Sequence, residues 1–197
     1  MRTIWKLKQT RLDVQLFGVN NTFEDFPLDH WIACDPAWHD YYGPVFGDFH
    51  KYHWDHEICD RYGYQFIEGR WADGVSPPGA SWISLNHGSG PQILNIATSV
   101  AQVDCVLLVG HDMTYRPGED RHYFQGLSGS SGEYPEPLRK HSPFTKPARV
   151  GGAHPDGDGI MYNYKHIAEQ KGLPPIYNCT PNSAMKWFPF RNLEDFL

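Results

Sequence analysis

The stretch that most constrains the fold runs from Ser89 to Tyr115, SGPQILNIATSVAQVDCVLLVGHDMTY. A Gly88-Ser89-Gly90 turn opens a segment, Ser89 to Gln102, in which Ile93, Leu94, Ile96 and Ala97 recur at helical spacing. After Asp104 comes Cys105-Val106-Leu107-Leu108-Val109, a short apolar run that reads as a strand buried on both faces. It stops at Gly110-His111-Asp112, so a carboxylate stands at the strand's carboxyl end. Helix followed by buried parallel strand is one unit of an open α/β sheet, and such sheets bind ligands along the carboxyl edge of their strands. The Ser/Gly helix start adds backbone N–H groups suited to an anion such as phosphate, and Pro91 is tolerated at the first helical position. A nucleotide-type ligand is the expectation that follows.

Composition narrows the class. A chain of 197 residues suits a single domain, 1–197, with a substantial core. The net charge is −6 and no Lys/Arg run exceeds two residues, so a nucleic-acid partner is not expected. No signal peptide and no membrane-length apolar run is present, which predicts a cytoplasmic protein with no membrane partner. The 19 glycines and 16 prolines, with 15% aromatics, suggest a loop-rich domain whose loops line a pocket. Cys34, Cys59, Cys105 and Cys179 show no C-x-x-C pairing and read as buried free thiols.

Other elements follow from local pattern. Val14 to Val19 and His30 to Cys34 read as strands ending at Asn20-Asn21 and Asp35-Pro36, with weaker strand candidates at Tyr64 to Ile67 and Trp82 to Leu85. Ile160 to Lys171 reads as a helix stopped by Gly172, and Ile176 to Cys179 as a last strand. Thr180 as N-cap and Pro181 at the first position suit a short helix, and residues 192–196 begin a terminal helical turn. Residues 116–158 lack period and read as a long irregular insertion, the usual form of a lid. The expected fold is therefore α/β, a Rossmann-like, mostly parallel sheet flanked by helices, with a lid insertion. Asn20-Asn21, Asp35, Asp112 and Thr180 to Ser183 each follow a strand. Any one set is ordinary turn or cap chemistry, but four sets on one parallel edge point to a shared pocket.

These residues, in this order, resemble a known family. SGPQILNIATSVAQVDCVLLVGHDM, the aromatic-flanked His of Arg121-His122-Tyr123-Phe124, and IYNCTPNSAMKWFPF carry the likeness. The family spans phage-encoded proteins, some labelled morphogenetic, the 6-hydroxymethylpterin pyrophosphokinase-like proteins, and the bacterial sialyltransferases that use CMP-sialic acid. Its shared skeleton appears as Asn20, Asp35-Pro36, Ser89-Gly90, Gly110-His111-Asp112, His122 and Cys179-Thr180-Pro181-Asn182-Ser183. The phage group looks closest, which implies action in the host cytoplasm. The resemblance implies a transferase using a nucleotide-activated donor, a sialyltransferase-like glycosyltransferase. The alternative is a non-catalytic phage protein that binds a nucleotide, for sequestration or particle assembly.

On matching positions, His122 is the general base on an acceptor hydroxyl, and Tyr115 and Tyr123 contact the leaving phosphate. A neutral imidazole suits that task near pH 7. Asp112 joins His122 as a catalytic candidate, or holds a ribose hydroxyl or a divalent cation accompanying the nucleotide. Asn20, Asn21, Asp35, Ser89, Gly90, Thr180, Asn182 and Ser183 are the remaining ligand-binding candidates. Arg116, Arg121, Arg139 and Lys140 would neutralise phosphate. The family's opening strand with a G-x-G-P-S turn has no counterpart before Asn20, so either the chain is truncated or this branch has lost part of the donor site. Oligomeric state is open, a homo-oligomer included.

Some motifs carry less. His50, His53 and His56 resemble a metal cluster, but on a helix steps of three drift by about 60°, so a polar or substrate-facing surface is the expectation and no metal site is assigned. Ser128 to Gly132 reads as a lid turn, because no Lys-Ser/Thr follows it. Trp31, Trp38, Trp187, Phe188 and Phe190 read as core and pocket wall, and His111 as pocket wall.

Overall fold

Short runs rich in aromatic and β-branched residues pair side by side as parallel strands. A computed structural model describes residues 2–85, 88–111 and 160–197; the expected lid, 116–158, lies outside them. Strands β1 (Phe17–Val19), β2 (His30–Ile32), β3 (His50–His53) and β4 (Gln65–Phe66) form one sheet in that order, every neighbouring pair parallel. The chain runs from β4 through Ile67, whose N–H donates to the His53 carbonyl at 3.0 Å, straight into β5 (Glu68–Arg70). β5 pairs in parallel with β6 (Trp82–Ser84), so one extended segment borders both ladders. β7 (Val106–Leu108) and β8 (Ile176–Asn178) form a further parallel pair.

Parallel neighbours need crossover connections, and helices supply several of them, with a 3-10 turn at Asn20–Glu24 between β1 and β2 and, among the described residues, no helix between β5 and β6. α2 (Pro36–Tyr42) joins β2 to β3, and α3 (His56–Tyr62) joins β3 to β4. Asp55 caps α3 by accepting the N–H groups of Glu57 and Ile58. α1 (Arg2–Thr10) precedes β1, α4 (Ser89–Asn95) lies between β6 and β7, and α5 (Ile160–Glu169) precedes β8. The architecture is mixed α/β with short parallel strands. None of the helices in the described residues is long and apolar enough to cross a membrane.

Helix α4 positions everything near the strand ends. It continues as a π turn over Ile96–Val100, and its residues from Pro91 to Ser99 are buried. Ile93 and Ile96 pack with Ile32, Tyr52, Ile67 and Ile83. Leu94 packs on a second cluster with Leu108, Tyr164, Ile167, Ile176 and Phe188. A third cluster, built on Trp31, Trp38, Ile58 and Tyr64, lies on the other face of β2. Strand alternation divides the faces, since Trp31 serves one cluster and Ile32 the other.

Asn95 solves the polar problem of so buried a helix. Its Oδ1 accepts the Ser76 and Ser84 N–H groups at 3.0 and 2.7 Å, and its Nδ2 donates to the Ser76 and Ser99 hydroxyls at 2.7 and 2.8 Å. Ser99 Oγ in turn donates to the Ser76 carbonyl at 2.6 Å. One side chain thus ties α4, its π turn, β6 and the loop before β6 together.

Several expectations need correction. The early strand is confined to Phe17–Val19. The β7 run is not buried on both faces: Leu108 is buried, Val106 and Leu107 are half-buried, and Cys105 and Val109 are exposed. The apolar run is right for a strand, but among the described residues β7 has only β8 beside it. Pro181 opens no helix; Pro181 and Asn182 form a turn, and the Thr180 hydroxyl is taken by the His111 N–H at 2.9 Å instead of capping. Cys59 and Cys179 are buried as expected, Cys34 is half-buried and Cys105 exposed, and all four are free thiols. Trp31, Trp38 and Phe188 are buried, whereas Trp187 and Phe190 are exposed. Helices α1 to α3 and strands β3 and β5 are elements that the sequence reading did not assign.

The histidines at 50, 53 and 56 share no helix. His50 and His53 sit on β3, an odd number of residues apart and so on opposite faces, and His56 opens α3 and stacks on Phe66 at 3.7 Å. No three His, Cys, Asp or Glu side chains gather as metal ligands among the described residues. His53 lies edge to face with His39, ring centroids 4.9 Å apart, both fully buried. His53 Nδ1 accepts the Asp55 N–H at 2.9 Å, which requires a neutral ring, while His39 Nε2 donates to the Ala33 carbonyl at 3.0 Å and burial lowers the His39 pKa.

Two outcomes are expected. Asn95→Ala strands two buried backbone N–H groups and should cost on the order of 3 kcal/mol in urea unfolding; a change under about 0.5 kcal/mol would contradict the clamp. Burial, with the neighbouring His39, pushes the His53 imidazole down from 6.5 to about 4. The unfolded chain therefore binds that proton first. The contribution of His53 is complete above pH 6.5 and is lost as pH falls towards 4, at ~1.4 kcal/mol per unit of pKa difference. His53→Asn, which keeps an acceptor for the Asp55 N–H, should flatten that acid limb in a series of urea titrations.

Candidate functional site

The carboxyl ends of β1, β2, β7 and β8 are joined by a chain of contacts that passes through the start of α4. Asn20, just after β1, adopts a left-handed backbone with φ of 48°, uncommon for a residue other than glycine. Its carbonyl is held by the Trp31 indole N–H at 2.7 Å, and its Oδ1 accepts the Ser89 hydroxyl at 3.2 Å. Ser89 Oγ also accepts the Cys34 N–H, just beyond β2, at 3.0 Å. One buried hydroxyl therefore bridges two strand ends and the first turn of α4. The N-cap of α4 is Gly88, which has no side chain with which to cap that turn.

The next residue reaches the other pair of strands. A Cβ on Gly90 would lie 2.5 Å from the Tyr164 hydroxyl and 4.0 Å from His111 Nε2, so only glycine fits there. Tyr164, from α5, is buried, and its hydroxyl lies 2.9 Å from His111 Nε2. His111 Nδ1 lies 3.1 Å from the Val109 carbonyl, which can only accept. The proton is thus on Nδ1, and Nε2 accepts the tyrosine O–H. Burial raises the Tyr164 phenol well above its ordinary value, so it stays a donor. Thr180 and Ser183 fix the His111 backbone: Thr180 Oγ1 accepts its N–H at 2.9 Å, and Ser183 Oγ donates to its carbonyl at 2.5 Å.

The sequence candidates therefore fall into distinct positions. Asn20, Ser89 and Gly90 adjoin one another, and Gly90 adjoins His111, which Thr180 and Ser183 hold. Asn21 is buried and its amide is engaged by the Trp38 indole N–H and by Glu24. Asp35 is half-exposed beyond β2, and Asn182 lies in an exposed turn with φ of 58°. Asp112, Tyr115, His122 and Tyr123 lie outside the described residues, as do Arg116, Arg121, Arg139 and Lys140. Sequence reasoning missed Tyr164 and ranked His111 as wall. Helical spacing puts Tyr164 near Ile167, but nothing in the sequence tells that its hydroxyl meets His111.

This edge is rich in hydroxyl and amide groups and in backbone N–H donors. Burial raises the thiols of Cys34 and Cys59 and pushes Cys179 up to about 11, so these cysteines stay protonated at neutral pH and are poor nucleophiles. The arrangement suits holding a polar ligand more than covalent chemistry. No family model, curated protein or solved structure matches this chain.

The Gly90 packing makes a double-mutant expectation. Gly90→Ala should cost about 1–3 kcal/mol by driving a methyl group into the Tyr164 hydroxyl. In a Tyr164→Phe background the nearest remaining atom is the ring carbon at 3.7 Å, and most of that cost should vanish. Strictly additive costs in chemical denaturation would contradict the contact.

Proposed function

We propose that this chain is a transferase acting on a nucleotide-activated donor, a sialyltransferase-like glycosyltransferase of phage type. On this reading the parallel strands belong to a Rossmann-like sheet, and residues 116–158 close over the ligand. The observation that carries it is the Asn20–Ser89–Gly90–His111 line of contacts. It sets strand ends and a helix start with glycine at its N-cap together, where open α/β sheets bind their ligands. The backbone N–H groups at the start of α4 are the donors a phosphate would meet there.

The chemistry follows from the resemblance. His122 takes the proton of an acceptor hydroxyl as that oxygen bonds to the anomeric carbon of the donor. The bond from that carbon to the nucleotide phosphate breaks, and the phosphate leaves with the electron pair. Tyr115, Tyr123 and the arginines of the same segment steady the leaving anion, and Asp112 holds the ribose or an accompanying divalent cation.

One observation favours a second reading, a nucleotide-binding protein without catalysis. No G-x-G-P-S turn of the family pattern lies among the residues before Asn20, where helix α1 and the Phe17–Val19 strand stand instead. A paired measurement separates the two. Calorimetry with CMP, other nucleotides and nucleotide sugars should show binding, and His122→Ala should keep it while losing transfer by on the order of 10²–10⁴-fold. Full turnover by the variant would refute the base assignment. Tight binding with no turnover of any donor would establish the binding-only reading, and no binding at all would refute both.

A further inference from the structure

The turn after β8 also frames an open depression of about 430 Å³, within the range of small-ligand sites. Its shape is fixed by a single buried amide. Asn178 Oδ1 accepts the Thr180 N–H at 3.0 Å, and its Nδ2 donates to the Met185 carbonyl at 3.0 Å. Its backbone N–H donates to the Pro189 carbonyl at 2.9 Å, and its carbonyl accepts the Arg191 N–H at 3.2 Å. Both ends of the loop are thereby tied to one residue, and the depression is preformed.

Its chemistry is uneven. Buried Met185 and Phe188 contribute an apolar floor, and Pro189 and the half-uncovered Phe190 an apolar flank. Two polar side chains on its lining, Asn182 and Lys186, make no hydrogen bond or ion pair with any described residue. Lys186 is the single cation of the lining among the described residues, and nearby Arg191 lies over the Tyr177 ring. One point charge beside an amide matches one negative charge, and the flat apolar flank matches a ring face. A peptide strand would need main-chain partners, but Asn178 has already used its N–H and its carbonyl inside the loop.

We infer that this depression, between the turn after β8 and Phe190, binds a small carboxylate that carries a ring, its charge on Lys186 and Asn182 and its ring on Phe190 and Pro189. Thr180, Asn182 and Ser183 border this depression and are also candidates for the nucleotide site, but Lys186 and Phe190, on which the carboxylate subsite rests, have no part in that reading. Nothing in it requires a second anionic group.

The test uses benzoate, its neutral analogue benzamide, and acetate, which has the charge and no ring, with binding followed by saturation-transfer NMR. Benzoate should bind the native protein at least tenfold more tightly than either analogue. Lys186→Gln and Phe190→Ala alter exposed side chains, should leave the melting temperature unchanged, and should each weaken benzoate at least tenfold. Equal binding of benzamide, unaltered binding by both variants, or no benzoate binding up to on the order of 10 mM would overturn the inference. Lys186→Gln should also leave nucleotide affinity within twofold. A tenfold loss there would assign the depression to the nucleotide and overturn its independence, whereas failure of the native protein to bind any nucleotide would leave the carboxylate site standing.

Discussion

The buried amide of Asn95 is the interaction on which the rest of the molecule depends. A helix buried along most of its length can pack on several sides, but any polar group it carries must be matched inside the protein. Asn95 meets that demand with partners on β6, on the loop before it and on the π turn. The helix is thereby fixed in rotation as well as position. Ile93 and Ile96 turn to one cluster and Leu94 to another, and the first turn is presented to the strand ends.

That placement has a chemical consequence at the carboxyl edge. Ser89 and Gly90 are adjacent, yet they engage different parts of the fold: the hydroxyl ties β1 to β2, and the missing side chain admits Tyr164 and His111. Three features meet within two residues, a hydrogen-bonded bridge, a close packing contact and the start of a helix. A shift of α4 by a fraction of a helical turn would break the first two together. Preorganisation of this kind lowers the ordering cost of binding a small polar ligand.

Much of this was legible in the sequence where long-range partners were not needed. The helix from Ser89, the strand before Gly110, the helix from Ile160 and the strand from Ile176 follow from period and punctuation alone. The strand-end rule picked out Asn20 and Thr180 and the helix-start reading Ser89 and Gly90, and the structure sets these along one line of contacts. What escaped was set by tertiary partners. Tyr164 reads as an ordinary core aromatic until His111 is placed against its hydroxyl. Thr180-Pro181 has the signature of a helix start, but the His111 N–H captures the threonine hydroxyl and the chain turns instead. Asn21 looks like a ligand residue beside Asn20, whereas its amide serves the Trp38 indole. The strand β3 is short and carries two histidines in four residues, a composition that no periodicity rule reads as sheet.

The proposal on which the functional reading turns is that a phosphate-bearing ligand binds at the start of α4, between the ends of β1 and β7. The most direct measurement is a crystal structure of the protein soaked with the tightest-binding nucleotide from the calorimetric panel. The account predicts phosphate density within hydrogen-bonding reach of the first-turn N–H groups of α4, flanked by Asn20 and His111. Well-ordered nucleotide density elsewhere on the molecule, with the start of α4 bare at saturating ligand, would contradict it.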